Sequence, residues 1–482
     1  MSSSHGPRVM AGMLGVTALA LAFASAIPGG VLSGVTERSR VAVPARAAAL
    51  SGPEPKPFLR MLSDRPFATP PTTAECEEFL GIACYDPAEL RGAYNLDPLL
   101  SKGETGTGET IVLVDAFGSP TIKSDLATFD AAFKIPAPPS FRIIAPEGKI
   151  PPYTSSSTRT GWAEETSLDV EYSHAMAPGA NILLVETPVS ETEGAAGFAQ
   201  IVAAENYVIK RHLGEVISQS FGATESTFKS GQILSFRSAV VAAEKAGVTV
   251  LGSSGDTGAT DYTNVAGTAL STTRVNSWPS SDPLVTSVGG LHFFLSSKGA
   301  QTKAPVVWND TALLGQPAAG GGGDSAVFSR PSFQKTVASV VGTDRGTPDV
   351  AMSASVNGGA LVYLSAEISG VGLAGFVPIG GTSEASPEFA GIVAIADQVA
   401  GMSLGYLNPA LYAMAAAKDP GLVDVTKGNN TVSFTQGSRS YTVAGYAATA
   451  GYDMASGLGT VNAVDFVPEL VAEVGALAKV AP

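Results

Sequence analysis

Histidine is scarce in this chain. Four are spread over 482 residues, and none stands in a recognisable catalytic motif. Chemistry that relies on imidazole as base or metal ligand is therefore poorly provided for. Cysteine is scarcer still: two residues exclude a disulfide-built scaffold and a cysteine-rich metal centre. Positive charge is also short. Against 43 Asp and Glu there are 29 Lys and Arg, a formal net charge of −14, with no basic run and no basic aromatic platform. That balance argues against a nucleic-acid partner. Beyond the N-terminus, no segment is long and apolar enough to cross a bilayer.

Apolar material, by contrast, is plentiful. Hydrophobic residues make up 45% of the chain and charged residues 15%, enough for a large core in one big catalytic domain or two ordinary ones. The 54 glycines and 32 prolines follow no period, so neither collagen nor a solenoid is indicated. A low charge density with excess acid suits an acidic medium. The N-terminus reads as an export signal. Arg8 sits in a short polar start, an apolar run VMAGMLGVTALALAFASAIPGG follows, and small residues offer cleavage near Ala26 or near Ala47. Residues 1–49 are thus expected to be signal peptide and leader, and the protein to be secreted, without stable membrane association once cleaved. In an exported chain the close pair Cys76 and Cys84, in AECEEFLGIACYDP, reads as one local disulfide.

From YDPAELRGAYNL onward, apolar runs of strand length alternate with helical patterns. The runs are TIVLVDAF, FRIIAP, NILLVET, VISQSFG, VTVLGSS, LVTSVGG and PDVAMSA. Several are almost wholly apolar, as strands covered on both faces are. Helical patterns such as EETSLDVEYSHAMA, GFAQIVAAENYVIKRHL and SFRSAVVAAEKAG lie between many of them. This alternation predicts an α/β fold with a mostly parallel twisted sheet, whose sites gather at the carboxyl ends of the strands.

Three stretches carry groups suited to chemistry. In GWAEETSLDVEYSHAMAPGA, Glu165 and Asp169 are four residues apart, which places both carboxyls on one helix face, one turn from each other. Like charges so placed oppose a helix unless one proton is shared, and a shared proton makes a base out of a carboxylate in acid. An ordinary solvated acidic face explains the same spacing. In VTVLGSSGDTGATD a strand ends in a glycine-rich turn that would project Asp256 into a cleft, as an oxyanion donor if it is protonated or as a turn cap if not. In PIGGTSEASPEFAGIVAIADQ, Ser383 stands at the mouth of a helical run, either as a nucleophile near a helix N-terminus or as a plain N-cap.

Together these stretches resemble the sedolisins, also called serine-carboxyl peptidases, over roughly Tyr85 to the C-terminus. The Glu and Asp four apart, with the Asp inside LDVE, the Asp of the SGDxG turn and the Ser of GTS occur in family order. VISQSFGATE, WPSSDPLVTSVGG, GGGGDSAVFSRPSFQ, RGTPDVAMSA and LGYLNPALY are further likenesses. The resemblance implies a subtilisin-like fold over 85–482 and a short extension over 50–84 that holds the cysteine pair. It also implies peptide-bond hydrolysis at acidic pH, by an endopeptidase or a tripeptidyl peptidase. Ser383 would be the nucleophile, Glu165 its base, Asp169 the partner that orients and shares the proton, and Asp256 the oxyanion donor. Glu164 breaks the four-residue spacing to Asp169. Extended polypeptide substrate would pair with Ser220, Phe221 and Gly222.

The resemblance further implies one Ca²⁺ near the C-terminus, held by Asp424, Asp453 and the carbonyls of Val425, Thr449 and Gly451. Thr449 replaces the family's usual glycine. The stretch before Tyr85 is shorter than the family's folded prodomain, and its Cys76–Cys84 segment is expected to act instead as a short lid or N-terminal brace. The protein is expected to be a monomer. Asp115, in IVLVDAFG, is read as structural, and His174, five residues past Asp169, as a packing residue. Two other readings stay open: a non-catalytic binding protein on the same scaffold, and a subtilase that uses His174.

Overall fold

All seven apolar runs are strands of one sheet, which an antiparallel eighth completes. They are β1 (Thr110–Ala116), β2 (Phe141–Ile144), β3 (Asn181–Thr187), β4 (Val216–Gln219), β5 (Thr249–Ser253), β6 (Thr286–Leu295), β7 (Gln301–Val307) and β8 (Val350–Ser353). The computed structural model describes residues 60–61, 65–190, 195–229, 231–264, 267–366 and 374–480. The expected signal peptide and its cleavage positions lie outside these residues. The sheet order is β7-β6-β5-β4-β1-β3-β2, with β8 also beside β6. Every pairing is parallel except β6 with β7.

The uninterrupted apolar runs follow from cover on both faces. On β1, Ile111 and Leu113 enter one core, and Val112 and Val114 enter another. On β3, Ile182 and Leu184 divide from Leu183 and Val185 in the same way. The helices that supply the cover are α1 (Pro87–Ala93), α2 (Ser157–Met176), α3 (Ala195–Lys210), α4 (Ser238–Ala246), α5 (Thr382–Ala400) and α6 (Ala463–Val480). Phe198 and Ile201 of α3 and Val240 of α4 fill one face. Leu168 and Tyr172 of α2, Phe389 and Ile392 of α5 and Phe466 of α6 fill the other. The fold is α/β with a mostly parallel sheet, as the alternation predicted, and agrees with the subtilisin-like form that the resemblance implied.

α2 and α5 form the part of this scaffold that matters most for function. Ser156 caps α2 by accepting the Arg159 N–H, and every residue from Thr160 to Met176 is buried. α5 crosses it at close range: a Cβ added at Gly391 would meet the Met176 Cβ at 2.5 Å. Only glycine permits that approach. The described residues of the 50–84 extension, 60–61 and 65–84, do not stand apart from this body. The short strands Arg60–Met61 and Cys84–Tyr85 flank β9 (Gly359–Leu364) and β10 (Gly375–Gly380) in a second sheet, and β10 leads directly into α5. Cys76 and Cys84 are disulfide-bonded, and both are buried.

Candidate active site

β10 ends at Gly380, and Gly381 turns the chain with φ 119°, outside the range that side-chain-bearing residues favour. α5 then starts, with Gly381 as its N-cap. Ser383 is therefore the second residue inside the helix, not its cap, which removes the plain capping explanation. Its hydroxyl donates to the Ser220 carbonyl at 3.4 Å, a long bond, and also stands beside the Glu165 carboxyl. The partial positive charge of a helix N-terminus favours any negative charge that develops next to Ser383.

α2 brings its carboxyls to the same point. Glu165 and Asp169 are both 0% exposed. Asp169 Oδ1 accepts from the Ser220 hydroxyl at 2.8 Å, while neither oxygen of Glu165 completes a hydrogen bond. Ser220, one residue beyond β4, thus bridges Ser383 and Asp169. Burial pushes Glu165 well above the usual carboxyl range. The Ser383 hydroxyl offsets part of that, and the charges of Asp115 and Asp256 add to it. Burial also raises Asp169 strongly, followed by the charges of Asp115 and Glu165. The like charges four apart on α2 are tolerable because the pair need not be fully ionised.

Two findings add to the sequence reading. Asp115, near the end of β1, is 1% exposed and lies against Thr166 and Asp169, next to the dyad. Burial raises it to about 7, with Thr166 and Asp169 pulling the other way. The signal for it was available, since a polar residue near the carboxyl end of a central parallel strand marks a site. The second concerns Asp256, which is 1% exposed and does not project into an open cleft. Its turn folds back on the start of α5, where Asp256 Oδ1 accepts the Thr382 N–H at 2.8 Å and the Thr382 hydroxyl at 2.9 Å.

The other predicted residues fall in two places. Phe221 is buried with its ring against Trp162 and Phe198, so its side chain anchors the segment while Gly222 stays half-exposed. His174 is buried elsewhere on α2. Its Nε2 lies 2.9 Å from the Pro136 carbonyl and 3.3 Å from Asp130, and no contact joins it to Ser383. Glu164 is also buried, but as the helical neighbour of Glu165 it points about 100° away from it around α2.

Asp424 and Asp453 meet near the C-terminus. The Gly451 N–H donates to Asp424 at 2.9 Å, and the Thr449 N–H to Asp453 at 2.8 Å. The Ser456 hydroxyl joins Asp453 at 3.0 Å to the Val425 carbonyl at 3.4 Å. Gly451 has φ 81°, whereas Thr449 is not among the residues with positive φ. The loop thus uses glycine's freedom at 451 and makes no such demand at 449. Among the described residues no three His, Cys, Asp or Glu side chains are arranged around one metal position. Any ion here would complete its shell with carbonyl oxygens, the donor set calcium accepts, and the five residues fit that requirement.

Comparison with known proteins adds to this geometry. No protein-family model matches the chain. Kumamolisin of Bacillus sp. (strain MN-32) is 30% identical over 383 residues, which span 78% of this chain and 62% of that protein. Sedolisin of Pseudomonas sp. (strain 101) is 33% identical over 273 residues, 56% of this chain and 43% of that protein. Tripeptidyl-peptidase 1 of Homo sapiens is 30% identical over 310 residues, 62% and 50% of the two chains. The chain thus spans less than two thirds of the length of each. Among solved structures, Pseudomonas sedolisin, a serine-carboxyl proteinase complexed with two molecules of pseudo-iodotyrostatin, aligns with a TM-score of 0.62 at 26% identity. That alignment covers 82% of this chain and 99% of that one. The chain belongs to the sedolisin family.

Proposed function

We propose that this member of the sedolisin family is a serine-carboxyl peptidase that cuts polypeptides in acid through an acyl-enzyme. The observation that carries the reading is the placement of Ser383 at a helix N-terminus beside Glu165, with Asp169 one turn on and His174 directed elsewhere. Serine needs a base, and the carboxyl pair is the base within reach.

Ser383 Oγ attacks the peptide carbonyl while Glu165 takes its proton. Asp169 holds a proton shared with Glu165, and the Ser220 hydroxyl fixes its orientation. The tetrahedral oxyanion forms at the start of α5 and receives hydrogen bonds from a backbone N–H near Ser383 and from protonated Asp256, whose Oδ1 is engaged by Thr382. Glu165 returns its proton to the leaving amine. Water then attacks the acyl-enzyme with Glu165 as base again. The working pH lies between the two apparent pKa values of the coupled pair, because one proton must stay and one must move. Substrate backbone would lie along Ser220 to Gly222. The protein acts outside the cell after removal of its signal peptide. Asp424, Asp453 and the carbonyls of Val425, Thr449 and Gly451 would hold a calcium ion, which would clamp the two C-terminal loops together apart from the reaction.

Digestion of a denatured protein across pH tests this. Cleavage confined to acid, and abolished in both Ser383→Ala and Glu165→Gln, is the expected result. An optimum near neutrality that depends on His174 would replace the reading with a histidine-dependent subtilase. No cleavage by a correctly processed sample would leave a binding protein on the same scaffold. A chelator should lower the melting temperature of the wild type and leave Asp453→Asn unchanged.

A further inference from the structure

α5 carries a second pair of acids that the proposed reaction does not use. Glu384 follows Ser383, and Glu388 lies one turn on, the same four-residue spacing as Glu165 and Asp169. Both are 0% exposed. Glu388 Oε2 accepts the Tyr94 hydroxyl at 2.5 Å, and that hydroxyl in turn accepts the Ser353 N–H at 2.8 Å. Tyr94 closes α1 and Ser353 ends β8, so this chain of bonds ties the first turns of α5 to two other elements. Neither oxygen of Glu384 has a hydrogen-bond partner, nor does Oε1 of Glu388. Glu384 lies beside the Ser353 hydroxyl and the Ala360 N–H without completing a bond to either.

The titratable groups that act on the pair from the surrounding elements are all acids. They are Tyr94 at the end of α1, Tyr85 on the strand Cys84–Tyr85, Tyr172 on α2 and Asp256 after β5. Two ionised carboxylates so enclosed, with no cation, would be prohibitively costly. One proton held by the pair relieves the repulsion.

We propose that Glu384 and Glu388 share one proton, and that this shared proton locks the helix carrying Ser383 onto Tyr94 and β8 only while the medium is acidic. Burial favours the protonated form of both groups, which agrees with this. The lock concerns the folded state, not the chemical step, and does not depend on the catalytic assignment of Glu165. Its sign is fixed. A carboxyl that holds its proton in the folded protein and loses it in the unfolded chain contributes nothing unfavourable below the ordinary glutamate value of about 4.3, and stability falls as pH rises above it toward the folded value.

The test uses Ser383→Ala as parent, so that self-digestion is absent, and measures urea unfolding from about pH 4.5 to about pH 7.5. For each proton that only the folded protein retains, the unfolding constant rises about tenfold per pH unit. The other buried acids contribute to that slope equally in parent and variants. Glu384→Gln and Glu388→Gln, each of which leaves an amide to donate to the remaining carboxylate, should each lower the slope by about tenfold per pH unit. Parallel slopes in parent and variants would overturn the proposal. So would the failure of both variants to fold in acid, because glutamine is isosteric with the protonated acid.

Discussion

Arg345 and Asp349 are as deeply buried as Glu165 and Asp169, all four being 0% exposed, yet the two pairs are built on opposite terms. Arg345 grips Asp349 with two bonds, at 2.7 and 2.5 Å. The Tyr412 hydroxyl and the Ser287 N–H complete the Asp349 shell. The charge there is matched, each Asp349 oxygen has a partner, and the role is to hold β6, β8 and their connections together. Among the described residues no cation pairs with Glu165 or Asp169. The neighbours are more acids, and several carboxyl oxygens have no partner. The first arrangement fixes a protonation state. The second leaves one undecided, which is what a group that must take up and return a proton requires.

The comparison breaks most visibly in activity. Ser383→Ala or Glu165→Gln should each lower kcat by about 10⁴–10⁶-fold while the protein stays folded in acid, since members of a catalytic unit fail together; kcat within a factor of ten of wild type for either would sink the assignment. Next in size is Arg345→Met. It leaves Asp349 buried without its cation and should cost about 3–5 kcal/mol in urea unfolding. Asp256→Ala should then reduce kcat by about 10²–10³-fold with little change in KM, as for the loss of one oxyanion donor; a rise in KM at constant kcat would assign Asp256 to substrate binding instead.

The smallest effect sharpens the rule for unmatched acids. Glu205 on α3 is 3% exposed and bonded to Gln219, and burial raises it to about 7 with the Gln219 bond opposing. It lies outside the proposed reaction. Because its folded pKa is raised, its stability contribution is whole below the ordinary value of about 4.3 and is lost as pH climbs toward about 7. Glu205→Gln should flatten the pH dependence of unfolding in that window by up to one proton and leave the acid limb of activity in place.

Much of the site was legible because its parts are local. The spacing of Glu165 and Asp169, the glycine turn before Asp256 and the helix after Ser383 are each set within a few residues. What escaped was the meaning of identical patterns in different surroundings. Glu384 and Glu388 have the spacing of Glu165 and Asp169, and sequence spacing cannot tell a wetted helix face from one sealed by α1, α2 and β8. Asp115 was passed over because its contact with Asp169 joins a strand to a helix more than fifty residues away. Its importance depends on how the sheet and α2 pack.

The sequence by itself determined the alternation of strands and helices, the parallel sheet, the cysteine pair and the chemical identity of the groups proposed to react. These rest on periodicity and on side-chain types at short range. Only the tertiary structure decided which carboxyls lose their water and which acquire a cation. That outcome depends on the sum of everything packed around each group, and burial without a counter-charge is what moves a proton.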